Sequence, residues 1–197
     1  METQKSYETY ARYKRFNVIG TSSSGKSTFS RKLAETLSRP YVELDQVYWK
    51  PNWENINDEE LFEQVSEITD RDCWVLDGNY SRTTPIKWSK AECVVWLDHS
   101  FSVNVYRAVT RAISRAVTQQ ELWPGTGNRE SFRLSFLSKD SVLLWTLRTY
   151  YRNKKRYSLA MRDRQYEHLD FVRLRSQKEV DEFLNAIGRA WGRSLSL

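Results

Sequence analysis

Short apolar runs alternate along the chain with amphipathic stretches. Phe16-Asn17-Val18-Ile19, ending at Gly20, reads as a strand. From Gly25 onward Phe29, Leu33, Ala34 and Leu37 recur at helical spacing, and Pro40 stops that helix. Tyr41 to Leu44 predicts a second strand, ending at Asp45. Asn57 with Glu60 three residues on forms a capping box. It opens a helix whose apolar face is Leu61, Phe62, Val65 and Ile68. Cys73–Leu76 and Cys93–Leu97 are continuously apolar, as in strands buried on both faces of a parallel sheet. They end in Asp77-Gly78 and Asp98. A helix is predicted from Phe101 to Val117 and a loop from Gln119 to Arg129, where Pro124, Gly125 and Gly127 fall. Arg133 to Tyr157 reads as mostly helical, with Phe136, Leu143, Leu144, Leu147 and Tyr151 apolar. Phe171–Leu174 is the fifth strand. A last helix opens on the capping box Ser176-Gln177-Lys178-Glu179 and buries Val180, Phe183, Leu184 and Ile187. Five short strands alternating with helices predict an α/β sandwich around a parallel sheet. Residues 1–15 form a polar extension with Tyr7, Tyr10 and Tyr13, read as a short helix or arm packing on a single domain over 16–197.

Composition narrows the class. A chain of 197 residues can bury a real core. Charged residues at 28% and hydrophobic ones at 40% describe a soluble globular protein. The N-terminal stretch has no apolar core, so a secretory signal is not expected. Two cysteines, Cys73 and Cys93, make no disulfide scaffold and no metal spacing, which fits a reduced, cytoplasmic protein. No membrane partner is expected.

The net charge of +6 is unevenly spread. Residues 1–98 carry 13 basic and 16 acidic side chains, net −3, and residues 99–197 carry 18 and 9, net +9. Between Arg107 and Arg156 there are 11 basic residues against Glu121, Glu130 and Asp140. Such a block meets something anionic, be it a nucleotide phosphate, a nucleic acid or a phospholipid surface.

The chemistry is carried by Gly20-Thr21-Ser22-Ser23-Ser24-Gly25-Lys26-Ser27-Thr28, which fits G-x-x-x-x-G-K-[ST] at every fixed position, with a strand before it and a helix after. The glycines let the backbone wrap a phosphate without Cβ clashes. The loop N–H groups and the helix N-terminus face that phosphate with partial positive charge. Lys26 is placed to reach the β- and γ-phosphates, and Ser27 to ligate Mg²⁺. ATP and Mg²⁺ are the expected ligands. A carboxylate at a neighbouring strand end should hold the Mg²⁺ water shell. Asp45, Asp77 and Asp98 all qualify by position. Asp98 reads better as a strand-end residue, and spacing alone does not rank Asp45 against Asp77.

The order of these motifs resembles the adenylate-kinase-like P-loop kinases, from the P-loop through Leu44-Asp45, Val75-Leu76-Asp77-Gly78 and Val94–Asp98 to Arg107-x-x-x-Arg111. Within that superfamily the chain is similar to the group labelled DNA topology modulation protein or adenylate-kinase-related protein. The similarity lies in Glu43–Pro51 with Trp53, Asp77–Ser81, Glu121–Gly125 with Asn128–Ser131, and Val172–Ser176. It spans about Phe16 to Ala186. The resemblance implies a P-loop NTPase three-layer sandwich with a five-stranded parallel sheet and a helical lid insertion at about 112–157. It implies Asp77 as the water-mediated Mg²⁺ contact and Asp45 facing the acceptor, able to orient or deprotonate a hydroxyl. Arg107 and Arg111 are implied to face ATP, and the loop from Arg175 and Ser176 to touch adenine. The chain departs from adenylate kinases at Asp45-Gln46-Val47-Tyr48-Trp49 and at Asp77-Gly78-Asn79-Tyr80-Ser81-Arg82. Arg82 would stand in for the phosphate-binding arginine, displaced by one residue.

Arg107, Arg111 and Arg115 line one helix face, and Arg148, Arg152 and Arg156 repeat that spacing on the next helix. Around a Pro-Gly loop they predict a lid that stabilises a transferring phosphoryl group, with Arg111 and Arg152 as its catalytic arginines. Trp49 either stacks on a planar acceptor or joins a small core with Trp53. Asn79 and Arg82 complete the expected acceptor set with Asp45. The leading expectation is a Mg²⁺- and ATP-dependent phosphotransferase acting on a nucleotide or a hydroxyl metabolite. The alternatives are an ATP-switched nucleic-acid-binding regulator, compatible with the basic block, and a polynucleotide 5′-hydroxyl kinase. His99 and His168 read as structural or surface residues.

Overall fold

The computed structural model describes residues 6–118, 121–123, 125–129 and 142–194. The sheet is formed by β1 (Arg15–Gly20), β2 (Tyr41–Glu43), β3 (Trp74–Asp77), β4 (Cys93–Leu97) and β5 (Asp170–Leu174). All are parallel, in the order β2-β3-β1-β4-β5. The helices are α1 (Lys26–Leu37), α2 (Leu44–Tyr48), α3 (Asp58–Thr69), α4 (Thr84–Lys90), α5 (Phe101–Thr118), α6 (Val142–Ala160) and α7 (Gln177–Ser194). The expected α/β sandwich is therefore present, with a buried layer on each face of the sheet. No described helix is long and apolar enough to cross a membrane.

Side-chain alternation builds both layers. In β4, Cys93, Val95 and Leu97 face α1 and α7, where Phe29, Leu33 and Phe183 close the core. Val94 and Trp96 face the other side, with Leu61 and Val65 of α3, Trp88 of α4 and Tyr157 of α6. One polar side chain sits at the centre of the sheet, Asn17 of β1. It is satisfied by donating to Leu76 O at 3.0 Å and accepting from Trp88 Nε1 at 2.8 Å. The segment before β1 is a 3-10 helix, Tyr7–Arg12, whose Tyr7 and Tyr10 rings pack on Phe183.

Both predicted caps are in place. Asn57 Oδ1 accepts from the Glu60 N–H at 2.8 Å, and Ser176 Oγ accepts from the Glu179 N–H at 3.2 Å. The Glu179 carboxylate reaches back to the Arg175 N–H at 2.8 Å. Helix α1 ends before Pro40, because Ser38 adopts a left-handed conformation and bonds back to the last turn. Two elements depart from the sequence expectation. Asp45 does not end a strand; it lies in the first turn of the five-residue α2. The short α4 has no apolar repeat long enough to signal itself. The helix expected from Arg133 is described from Val142 onward, so Phe136 lies outside the described residues. The side chains of Leu143, Leu144 and Leu147 are likewise not described.

Strand order reverses at β1, which has β3 on one side and β4 on the other. Ligands of such sheets bind where that reversal opens a crevice at the carboxyl ends of the strands. The chain from Gly20 to Lys26 leaves the sheet at that point.

Candidate functional site

The loop from Gly20 to Gly25 turns sharply between β1 and α1. Ser23 and Gly25 have φ of 64° and 90°, and the Ser24 N–H bonds back to Thr21 O at 3.1 Å. A Cβ on Gly20 would lie 2.6 Å from Ser24 Oγ and 2.8 Å from Leu97 O, so only glycine fits there. The Ser23 and Ser24 hydroxyls are buried and lack a hydrogen-bond partner. Lys26 Nζ folds back onto Thr21 O at 3.3 Å. Ser22 and Ser27 are partly exposed and Thr28 is exposed. A helix N-terminus, two orphaned hydroxyls and an ammonium resting on a carbonyl suit an incoming phosphate.

Register sets an acidic edge beside this loop. Glu43 and Asp77 are partners on the adjacent strands β2 and β3. Ser27 Oγ lies 3.4 Å from Glu43 Oε1. Tyr41 Oη lies between the two carboxylates, 3.2 Å from Glu43 Oε2 and 3.4 Å from Asp77 Oδ2. Burial raises the Asp77 carboxyl to about 6, against the opposing pull of Lys26 and a Ser27 hydrogen bond; Asp45 and Glu43 raise it further. The Tyr41 hydroxyl is also pushed up, first by burial and then by Asp77 and Glu43. Among the described residues no three His, Cys, Asp or Glu groups converge on one metal position. A hydroxyl and two carboxylates beside a phosphate loop suit Mg²⁺, which keeps several waters and takes the rest of its shell from substrate phosphate.

A relay of polar contacts braces the loop from below. Asn79 Nδ2 donates to Gly20 O at 2.6 Å, and Asn79 Oδ1 accepts from the Gly20 N–H at 3.1 Å. Both ends of this amide are thus engaged with the P-loop, although the sequence assigned Asn79 to the acceptor. Beneath it the fully buried Lys87 of α4 donates to Gly78 O at 2.9 Å and Asn79 O at 3.2 Å. Burial, then Arg156, draw the Lys87 ammonium down to about 7, with Asp77 opposing.

The arginines after β4 divide. Arg107 spans from Ser24 O at 3.1 Å to Gln177 Oε1 at 3.0 Å, joining the P-loop to the start of α7 beside Arg175 and Ser176. Arg111 Nη2 lies 3.1 Å from Ser22 Oγ. Arg152 is exposed on α6. Asp98 is buried and paired with Arg173 through Nε at 2.9 Å and Nη2 at 2.5 Å, which settles it as a strand-end residue.

On the acceptor side Asp45 is exposed and accepts from Tyr80 Oη at 2.7 Å. Burial and the Asp45 charge hold the Tyr80 hydroxyl in its protonated form, well above the usual phenol range. Arg82 is ion-paired with Asp58 at the N-terminus of α3. Trp49 packs edge-on against Tyr48 at 5.0 Å and Trp53 at 5.7 Å. Glu43 and Tyr80 fall within segments that carry the resemblance but were given no role, and Tyr41 and Lys87 belong to no motif. The two-residue spacing of Tyr41 and Glu43, which puts both on one face of β2, is the signal that could have linked that pair.

The sequence matches no protein-family model and no curated protein. Solved structures do share the fold. A gluconokinase from Sinorhizobium meliloti 1021 superposes with a TM-score of 0.50 at 19% identity, covering 93% of this chain and 96% of that one. A shikimate kinase from Acinetobacter baumannii, in complex with shikimate, superposes with a TM-score of 0.54 at 13% identity, covering 96% and 99%. The chain shares the fold of these two structures across nearly its whole length.

Proposed function

We propose that this chain is a Mg²⁺-dependent kinase that moves the γ-phosphoryl group of ATP to a hydroxyl of a small acceptor. The observation that carries this reading is the pair of carboxylates Glu43 and Asp77 beside Lys26 and Ser27 of the P-loop, with the exposed Asp45, held by Tyr80, next to them. A phosphate-bearing acceptor would meet the Asp45 carboxylate there, and the arginine that would offset it, Arg82, is held by Asp58. A hydroxyl acceptor needs no such cation. The fold it shares with a gluconokinase and a shikimate kinase supports the same class of reaction. Its likeness to the topology modulation group adds a family label and no reaction.

The Gly20–Gly25 backbone would hold the β- and γ-phosphates of ATP, and Lys26 would exchange Thr21 O for a phosphate oxygen. Ser27, Asp77 and Glu43 would hold Mg²⁺, which would supply neutralisation of phosphate charge. Arg107 and Arg111 touch the Ser24 carbonyl and the Ser22 hydroxyl of the P-loop, and Arg152 would reach the transferring phosphoryl group from α6. Asp45, oriented by Tyr80, takes the proton of the acceptor hydroxyl as its oxygen bonds to phosphorus and the bond to ADP breaks.

The test is a transfer screen with ATP·Mg²⁺ and two sets of acceptors. One set holds nucleosides, sugars, sugar acids and shikimate, and the other nucleoside monophosphates. Phosphorylation within the first set is expected. Transfer confined to the second set overturns the reading.

A further inference from the structure

Two tryptophan-bearing segments stand out in the sequence, 43–53 and 121–131, and the mechanism above uses only Glu43 and Asp45 from them. In the structure Lys50 and Trp53 of the first meet Trp123 and Asn128 of the second. Asn128 is buried, accepts from the Trp53 N–H at 3.0 Å and donates to Lys50 O at 2.9 Å. Trp123, also buried, packs edge-on against Trp53 at 5.9 Å. From Trp53 the ring contacts continue through Trp49 at 5.7 Å, Tyr48 at 5.0 Å and Tyr80 at 4.8 Å. Tyr80 then holds Asp45 at 2.7 Å. One unbroken file of rings thus joins the loop to the acceptor carboxylate.

Both partners in this contact are pre-shaped. Asn52 and Trp53 have φ of 61° and 60°. Asn tolerates that left-handed region, but a bulky Trp is held there only when its surroundings over-determine it. The Asn128 bond and the rings on either side of Trp53 supply that constraint. The loop is fastened to itself as well. Gly127 N–H donates to Glu121 Oε1 at 2.6 Å and Leu122 N–H to Asn128 O at 2.9 Å.

We infer that loop residues 121–123 and 125–129 are a wall of the acceptor subsite and not part of the cover over ATP, with Asn128 as its positioning residue. Asn128 sets Trp53, and the ring file transmits that placement to Tyr80 and Asp45. The inference rests on the kinase reading for what the subsite holds. It assigns part of acceptor specificity to a loop that a phosphate-clamping lid would reserve for the nucleotide.

The experiment compares the full chain with Asn128→Ala and with the milder Trp123→Phe, which keeps a ring. Hydrogen exchange is followed with and without the Mg²⁺ complex of a non-hydrolysable ATP analogue. Turnover is measured on adenosine, AMP, gluconate and shikimate. In Asn128→Ala, peptides covering 48–56 and 121–129 are expected to exchange at least tenfold faster, together. Affinity for the analogue stays within twofold, and KM for a panel compound that turns over rises about tenfold while KM for ATP holds. Independent exchange of the two segments overturns the inference, as does a tenfold loss of analogue affinity with acceptor KM unchanged. Failure of the kinase reading itself shows elsewhere, as absence of analogue protection at residues 20–30 in the unmodified chain.

Discussion

Asn79 grips Gly20 at both of its backbone polar groups, accepting from the N–H at 3.1 Å and donating to the carbonyl at 2.6 Å. The two residues are joined across the β1–β3 boundary, where the phosphate loop leaves the sheet. A side chain used in this way fixes the first residue of the loop, so its loss should be felt in nucleotide binding. Asn79→Ala is expected to weaken the ATP·Mg²⁺ complex by about tenfold, the size of one or two net hydrogen bonds. Acceptor KM should hold. Calorimetric titration with the nucleotide checks this, and the opposite pattern, a raised acceptor KM at unchanged ATP affinity, would return Asn79 to the acceptor site.

Lys87 supports the same loop from inside the core, and its charge gives a pH signature. Burial brings its ammonium to about 7, whereas an unfolded lysine titrates near its ordinary value. Between about pH 7 and 10 the unfolded chain therefore holds more protons than the folded one, and stability rises with pH across that window. Below pH 7 the full cost of the buried charge is present. Lys87→Met removes this titration. Relative to the variant, the parent should gain stability from pH 7 to 9, by up to about 1.4 kcal/mol per pH unit. Urea denaturation at several pH values measures it, and parallel curves would contradict the assignment.

Lys26 rests on Thr21 O and must leave it to reach phosphate. Lys26→Ala deletes that cation without touching the core. Turnover should fall by roughly 10²–10³-fold, the scale of losing one preorganised donor. Thermal unfolding should shift little. Full activity in this variant would remove the P-loop from the chemistry.

Asp77 predicts an acid limit. Burial raises its carboxyl to about 6, so below that pH the folded chain keeps a proton there that the unfolded chain has released. Between about pH 4 and 6 stability therefore falls as pH rises, and above pH 6 the cost of the buried charge is complete. Mg²⁺ requires the charged form. The Mg²⁺ concentration for half-maximal turnover should climb as pH falls through 6, by up to tenfold per unit. Asp77→Asn should bind Mg²⁺·ATP weakly at every pH and lose that slope.

Legibility in the sequence followed contiguity. The P-loop is nine consecutive residues, and both helix caps are three-residue relations, so each could be read locally. The strands were legible as apolar runs, which is why the sheet emerged with five members. Asp45 and Asp77 could not be ranked, because what separates them is register and burial. Asp77 sits beside β1 and is 2% exposed, whereas Asp45 is one turn into α2 and exposed. Glu43 enters only because β2 pairs with β3 in a register that puts it next to Asp77. Asn79 acts through the backbone of Gly20 on another strand's loop, and Lys87 through the carbonyls of Gly78 and Asn79, contacts for which sequence has no signal. The contact between Trp53 and Asn128 spans 75 positions and was equally silent.

The Asp45–Tyr80 pair gives the sharpest test of the acceptor chemistry. Tyr80 keeps its proton, because burial and the neighbouring carboxylate both oppose its ionisation. It therefore donates to Asp45, and its hydrogen bond of 2.7 Å occupies one carboxylate oxygen and leaves the other for an acceptor hydroxyl. Asp45→Asn keeps the shape but cannot take a proton. With a hydroxyl acceptor kcat should drop by about 10²–10⁴-fold, the usual contribution of a general base. Affinity for ATP should not change. Tyr80→Phe removes only the orienting bond, so kcat should fall about fivefold, in line with one hydrogen bond near 1 kcal/mol. Because Tyr80 acts through Asp45, the double variant should be no slower than Asp45→Asn alone. Additive losses would mean that Tyr80 touches the acceptor directly. An Asp45→Asn enzyme with normal kcat would show that the acceptor arrives without a proton to lose, as a phosphate does.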